Sequence, residues 1–212
     1  MRTSIKRVAA VSAAALIGAT ALVAAPAAQA ADGDTSLATV LKVGSAKFDK
    51  NHKDYDIVTK AAETVLGAKP DSPVALLADG KTALTAFIPN DRAFMNLASA
   101  LTGHTVKTEA AAFKAVAGLG VDTVETVLLY HVVPGDAIMS GDALKANGAK
   151  LKTAVDGKVI RVKVTKAPSI ILGDYAPKLK NPRVILSQVD INKGNMQIAH
   201  GIDAVLLPIK AG

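Results

Sequence analysis

"VETVLLYHVVPG", residues 124–135, contains the change of rhythm on which the fold turns. Up to Tyr130 the apolar residues keep helical spacing: Val121, Val124 and Leu128 share one face of "VDTVETVLLY". Past His131 the chain runs through Val132-Val133 into Pro134-Gly135, and a period of two then takes over. In "VIRVKVT" Ile160, Val162 and Val164 point one way, Arg161 and Lys163 the other. Helices mostly first and strands mostly later predict an α+β domain rather than alternating βαβ units.

Working outward from that point, the first half is helical. "TSLATVLKVG" offers Ser36 as an N-cap, Leu37, Val40 and Leu41 as an apolar face, and Gly44 as a stop. "YDIVTKAAETVLGAKP" repeats the pattern, with Asp56 as the cap, Ile57, Ala61 and Val65 beside Val58 and Ala62, and Gly67 as terminator. The polar "FDKNHKDYD" between them is expected to be loop. "ALTAFIP" is a short strand stopped by Pro89. "NDRAFMNLASAL" follows as a helix capped by Asn90 and Asp91 that buries Phe94, Leu97 and Leu101. "TEAAAFKAV" is a further helix starting at Thr108. On the other side, Asp156-Gly157 marks a hairpin ahead of "VIRVKVT". "SIILGD", "RVILSQVDI" and "MQIAHGIDAVLL" are predicted strands, with a turn at Lys193-Gly194.

Residues 1–30 have the marks of a secretory signal peptide: Arg2, Lys6 and Arg7, an Ala/Val/Leu run, then Ala28-Gln29-Ala30. The expected layout is signal peptide 1–30, tail 31–35, one domain 36–208 and tail 209–212. No stable membrane insertion is expected after cleavage, and the export expectation makes the absence of cysteine notable: no disulfide, thiolate metal site or thiol nucleophile can form. With aromatics at 3%, the core must be built from Val, Ile, Leu and Ala. Without the three leader cations, 22 basic face 18 acidic side chains, a net of +4. Nucleic-acid binding would call for clustered cations and stacking aromatics, whereas the lysines are scattered along the chain and Trp is absent. A solvated surface explains the charge, with weak attraction to an acidic polymer or cell surface left open.

Three stretches, in this order, resemble the fasciclin domain family. They are "TALTAFIPNDRAF" (82–94), "LLYHVVPG" (128–135) and "VILSQVDINKGNMQIAHGIDAVLLP" (184–208). The signal peptide and single-copy layout are similar to those of secreted bacterial, particularly actinobacterial, members. The resemblance implies a wedge-shaped β-sandwich flanked by helices, extracellular and linked to adhesion. Some actinobacterial relatives carry a disulfide, which this chain lacks. Animal relatives engage integrins through the Tyr-His region and an Asp-Ile motif, and this chain has no convincing counterpart of the second.

Tyr130, His131, Val132 and Val133 are therefore a candidate hinge, either a recognition epitope or a structural pin. The apolar neighbours favour the pin. Thr85, His131 and Asp203 form a candidate buried polar network joining the signatures. His200 is expected to be packed in a strand, and His104 to lie in a loop. His52 lies near Asp49, Asp54 and Asp56, but that loop lacks the turn glycine and closing Glu of a calcium loop. No Gly-x-Ser-x-Gly, Ser-x-x-Lys, His-Glu-x-x-His or phosphate-loop motif is present. The expectation is a non-enzyme without catalytic residues, cofactor or metal: a monomeric adhesion module for a protein or a cell-surface or matrix polymer, and not for nucleic acid. The alternative is a small apolar ligand, a lipid or pigment, held between helices and sheet, which the resemblance allows because some algal relatives bind carotenoids.

Overall fold

The computed structural model describes residues 33–43, 46–167 and 169–209. The expected signal peptide, the Gly44 stop and most of the C-terminal tail lie outside these residues.

Local chemistry sets the helix starts. Ser36 Oγ accepts from Thr39 N–H to open α1 (Leu37–Val40). α2 (Asp56–Ala68) has no side-chain cap of its own from Tyr55. Ser72 opens a 3₁₀ turn over Pro73–Ala78. β1 (Leu84–Pro89) leads to Asn90, whose side chain caps α3 (Asp91–Thr102) by accepting from Ala93 N–H. Thr108 caps α4 (Glu109–Ala117), and α5 (Val121–Tyr130) ends at His131. Then come β2 (Val132–Pro134), α6 (Ser140–Ala143), β3 (Lys150–Lys152), β4 (Val159–Val164), β5 (Ile170–Gly173) and β6 (Gln197–Ile202).

The strands form two three-stranded sheets, ordered β2-β1-β6 and β3-β4-β5. β1 runs antiparallel to β2 and parallel to β6, pairing Leu84 with Gln197 through Pro89 with Ile202. Every residue of β1 and β6 is buried, as both faces of this sheet are covered. From β1, Phe87 points toward the second sheet, where Ile160, Val162, Ile170 and Leu172 meet it. Leu84, Ala86 and Ile88 point the opposite way, onto Leu37 and Leu41. A separate layer of α2, α3, α4 and α5 packs Ile57, Val65, Phe94, Ala112 and Val124 together and closes on Val205 and Leu207. The architecture is the expected α+β arrangement of sheets flanked by helices.

Several expectations need correction. "RVILSQVDI" is not a strand; it meets the sheets at single bridges, Arg183 to Ile171, Val184 to Ile202 and Ile191 to Ala199, and through Gly201 N–H donating to Gln188 O. Of its apolar residues Val184 is buried, Val189 and Ile191 pack partly against the core, and Leu186 is exposed. Leu101 is 46% exposed, because α3 turns it outward in its last turn. Residues 33–35 are not a loose tail: Gly33 N–H donates to Gly194 O and Thr35 N–H to Asn195 Oδ1. Asp56 does not cap α2, and Asp91 does not cap the helix it begins.

Candidate functional site

The helix-to-strand junction places the four hinge residues in the interior. Tyr130 is fully buried and His131, Val132 and Val133 nearly so. Tyr130 Oη donates to Val159 O on β4 at 2.9 Å, and its ring meets Tyr175 edge-on at 6.1 Å. Burial pushes the phenol upward, so it stays a neutral donor. His131 Nδ1 lies 2.7 Å from Val127 O, and Nε2 accepts from Leu206 N–H at 3.0 Å. An acceptor role for Nε2 puts the ring proton on Nδ1, which donates to the Val127 carbonyl. Burial pulls the imidazole down to about 4, and a second ring proton would face the Leu206 N–H. The pair thus ties the end of α5 to β4 on one side and to the C-terminal segment on the other.

His200 has the same design one strand away. Nε2 donates to Ile138 O at 2.8 Å, Nδ1 accepts from Asp190 N–H at 3.3 Å, and burial lowers its basicity. Phe87 lies beside it, ring centroids 5.9 Å apart.

Thr85, His131 and Asp203 do not make one network. Thr85 Oγ1 donates to Asp136 O at 2.6 Å and accepts from Ile138 N–H at 2.8 Å, shaping the loop after β2. Asp203 is partly exposed, accepting from Arg183 N–H and pairing with Lys180 at 2.5 Å. The expectation failed because each polar group found the nearest backbone partner. Gln197 was not singled out by sequence, although a lone amide in an apolar strand is a signal of this kind. It is fully buried; its Oε1 accepts from Leu37 N–H, and its Nε2 donates to Leu76 O and Asp79 O.

The polar loop before α2 joins two buried carboxylates in a capping knot. Asp91, fully buried, accepts from Ile57 N–H at 2.8 Å and Asp56 N–H at 3.2 Å, so it caps α2 from the neighbouring helix. The loop returns the contact: Asp54 O and His52 O accept from Asp91 N–H and Arg92 N–H. Glu109 accepts from Asp49 N–H and from His52. Oxygens of Asp54, Asp91 and Glu109 lie within 4.8 Å of one another, as do those of Asp49, Asp54 and Asp56. Burial, and then the hydrogen-bonded carboxyl of Asp54, push Asp91 up to about 8. Burial and the Asp54 charge push Asp56 up to about 6. The buried Oδ1 of Asp54 has no hydrogen-bond partner among the described residues. The oxygens of Asp91 and Glu109 are committed to backbone N–H groups and to His52, so the cluster holds helices and a loop together. His104 lies exposed after α3.

Space for an apolar ligand is small. The cavities among the helices and between the sheets are about 20 to 30 Å³. A groove of about 180 Å³ lies on α3, between Ala93, Leu97 and Ala100 and the facing Leu179 and Val205. Small-molecule pockets run from roughly 300 Å³ upward, and the space of that size here, about 390 Å³, is an open hollow beside the charged Lys69, Asp71 and Glu125 rather than a site between helices and sheet.

Comparisons with known proteins agree on one relationship. Residues 63–208 match the sequence profile of the fasciclin domain. The fold is similar to a solved FAS1 domain pair from the insect cell adhesion molecule fasciclin I, with a TM-score of 0.53 and 19% identity. The match covers 82% of this chain and 51% of that one, so the chain spans about half the length of that structure. No curated protein matches the chain.

Proposed function

Because the chain belongs to the fasciclin domain family, whose members are in general non-enzymatic interaction modules, we propose that it is a secreted adhesion module for a protein or a cell-surface or matrix polymer. The observation that carries this reading is the state of the central polar groups. Tyr130, His131, Thr85, Gln197 and His200 are all buried and all hydrogen-bonded to backbone. Groups committed in this way cannot turn over a substrate, and what is left for a partner is surface. Near the hinge that surface is the exposed turn Pro134–Asp136, held in shape from beneath by Thr85. The outer edge of β2 offers little for strand addition, since Val132 O already accepts from Ala154 N–H. Secretion is supported by the leader-like residues 1–30, and no helix among the described residues is long and apolar enough to cross a membrane. The family match covers residues 63–208, and bacterial origin and a monomeric state belong to the same proposal.

The test uses the purified protein from Ala31 and immobilised cell-envelope and matrix fractions. A Pro134→Ala/Asp136→Ala variant, checked for an unchanged melting temperature, is expected to bind more weakly. Equal binding by both proteins removes the turn from the proposal, and no binding by either removes adhesion altogether.

A further inference from the structure

The second sheet has a cationic outer face. The register of β3 and β4 sets Lys150 beside Arg161, with Lys152 on the same side. β4 adds Lys163, paired with Ile171 of β5, and Arg183 bridges to Ile171 from beyond the sheet edge. Paired residues share a face, so Lys150, Lys152, Arg161, Lys163 and Arg183 stand on one side, across four strand-like segments. All five are exposed, and none makes an ion pair among the described residues. From Ala143 to Gly173 the only acidic residue is Asp156, in the hairpin turn. Asp174, just beyond, accepts from Ala176 and Leu207 N–H groups instead. The face is also braced. Arg161 and Lys158 lie 5.9 and 4.4 Å from the centre of the Tyr175 ring, which abuts the buried Tyr130.

We propose that this face is a docking surface for an extended anionic polysaccharide. The cations of β3 and β4 stand about 5 Å apart across strands and about 7 Å apart along them, Arg183 lies a further two strand spacings (about 10 Å) past β4, and none of the five lines a cavity described above. Such an array fits a chain that carries acid groups at intervals; a single small anion would need converging donors. Three other occupants fit less well. A protein partner needs a buried apolar or aromatic anchor, and the side chains between these cations, Val159 and Ile171, are already half-covered. Single-stranded nucleic acid needs free aromatic faces, and Tyr175 is occupied by its own cations. A membrane needs large apolar side chains to insert, which this face lacks. A carboxylated or sulfated glycan needs only charge and hydrogen-bond donors. The inference rests on the interaction-module reading and gives its polymer partner an address separate from the Pro134–Asp136 turn.

The experiment measures binding of the protein from Ala31 to alginate and heparin at several salt concentrations. Lys150→Gln/Arg161→Gln/Lys163→Gln is compared with a control of equal charge change on other exposed lysines, Lys81→Gln/Lys107→Gln/Lys114→Gln. The sheet variant is expected to bind about tenfold or more weakly, and its salt dependence on logarithmic axes to flatten by about 2 to 3. The control stays within about twofold of the parent protein. Circular dichroism and melting confirm folding, and the three single Gln variants give a graded series if the triple one is unstable. Equal loss in both variants, loss in neither, or tighter binding to charge-matched duplex DNA, polyglutamate or anionic vesicles overturns the proposal. Retained binding of both variants to envelope fractions then leaves the adhesion reading standing, whereas no binding to glycans or fractions ends both.

Discussion

At the scale of single residues, the two interior histidines act as neutral clamps, each giving one hydrogen bond and receiving one. His131 sits near 4 when folded and near 6.5 when unfolded. Between those values the unfolded chain takes up a proton that the native ring refuses. Stability is therefore full above about pH 6.5 and falls as pH drops toward 4, by about 3 kcal/mol. Urea midpoints at pH 7, 5 and 4 should show this fall. His131→Gln should cost about 1 to 3 kcal/mol at pH 7, by disturbing the bonds to Val127 O and Leu206 N–H, and should flatten the acid limb. Asp91 has the opposite sign. Its native value near 8 exceeds its ordinary 3.8, so it contributes stability below about pH 4 that is lost as pH rises through 8. Asp91→Asn should equal or trail the parent protein at pH 4.5 and surpass it at pH 9, measured by the same midpoints.

At the scale of elements, what could be read from the sequence was what a segment does by itself. α5 and β4 follow from periodicity alone, and Ser36, Asn90 and Thr108 cap where their local patterns say. What could not be read depends on residues distant in the chain. Asp91 caps α2 across 34 positions to Ile57, and Gln197 serves Leu37 across 160. Nothing in a window of ten or twenty residues marks those partnerships. The cations of the second sheet looked scattered because alternation spaces them along the chain; pairing of strands is what brings them together. β6 has a further constraint at Gly201. A Cβ there would lie 2.5 Å from Tyr55 Oη and 2.8 Å from Gln188 Cβ, where the 185–188 turn crosses the strand. Gly201→Ala should push that turn away, lowering stability by roughly 2 kcal/mol or more, read as a drop in melting temperature.

At the scale of the whole molecule, the matched region and the folding unit differ. The family profile begins at residue 63, inside α2. Residues ahead of that point are part of the packing: Gly33 pairs with Asn195, and Leu37, Ile57 and Ala61 belong to the core. A protein starting at residue 63 should be insoluble or lack cooperative melting, while one starting at Ala31 should melt in a single transition; calorimetry on both checks this. The interaction surface is the part the sequence left least defined, since a surface is a property of the assembled strands.

The parallel pairing of residues 84–89 with 197–202 has a consequence for how the chain is made. Its middle strand waits for a neighbour more than a hundred positions downstream. A polypeptide emerging amino end first cannot complete that ladder until residue 202 is out, and distant pairings of this kind close slowly. Such delay keeps the newborn chain open and threadable, a condition that suits a polypeptide exported as proposed above.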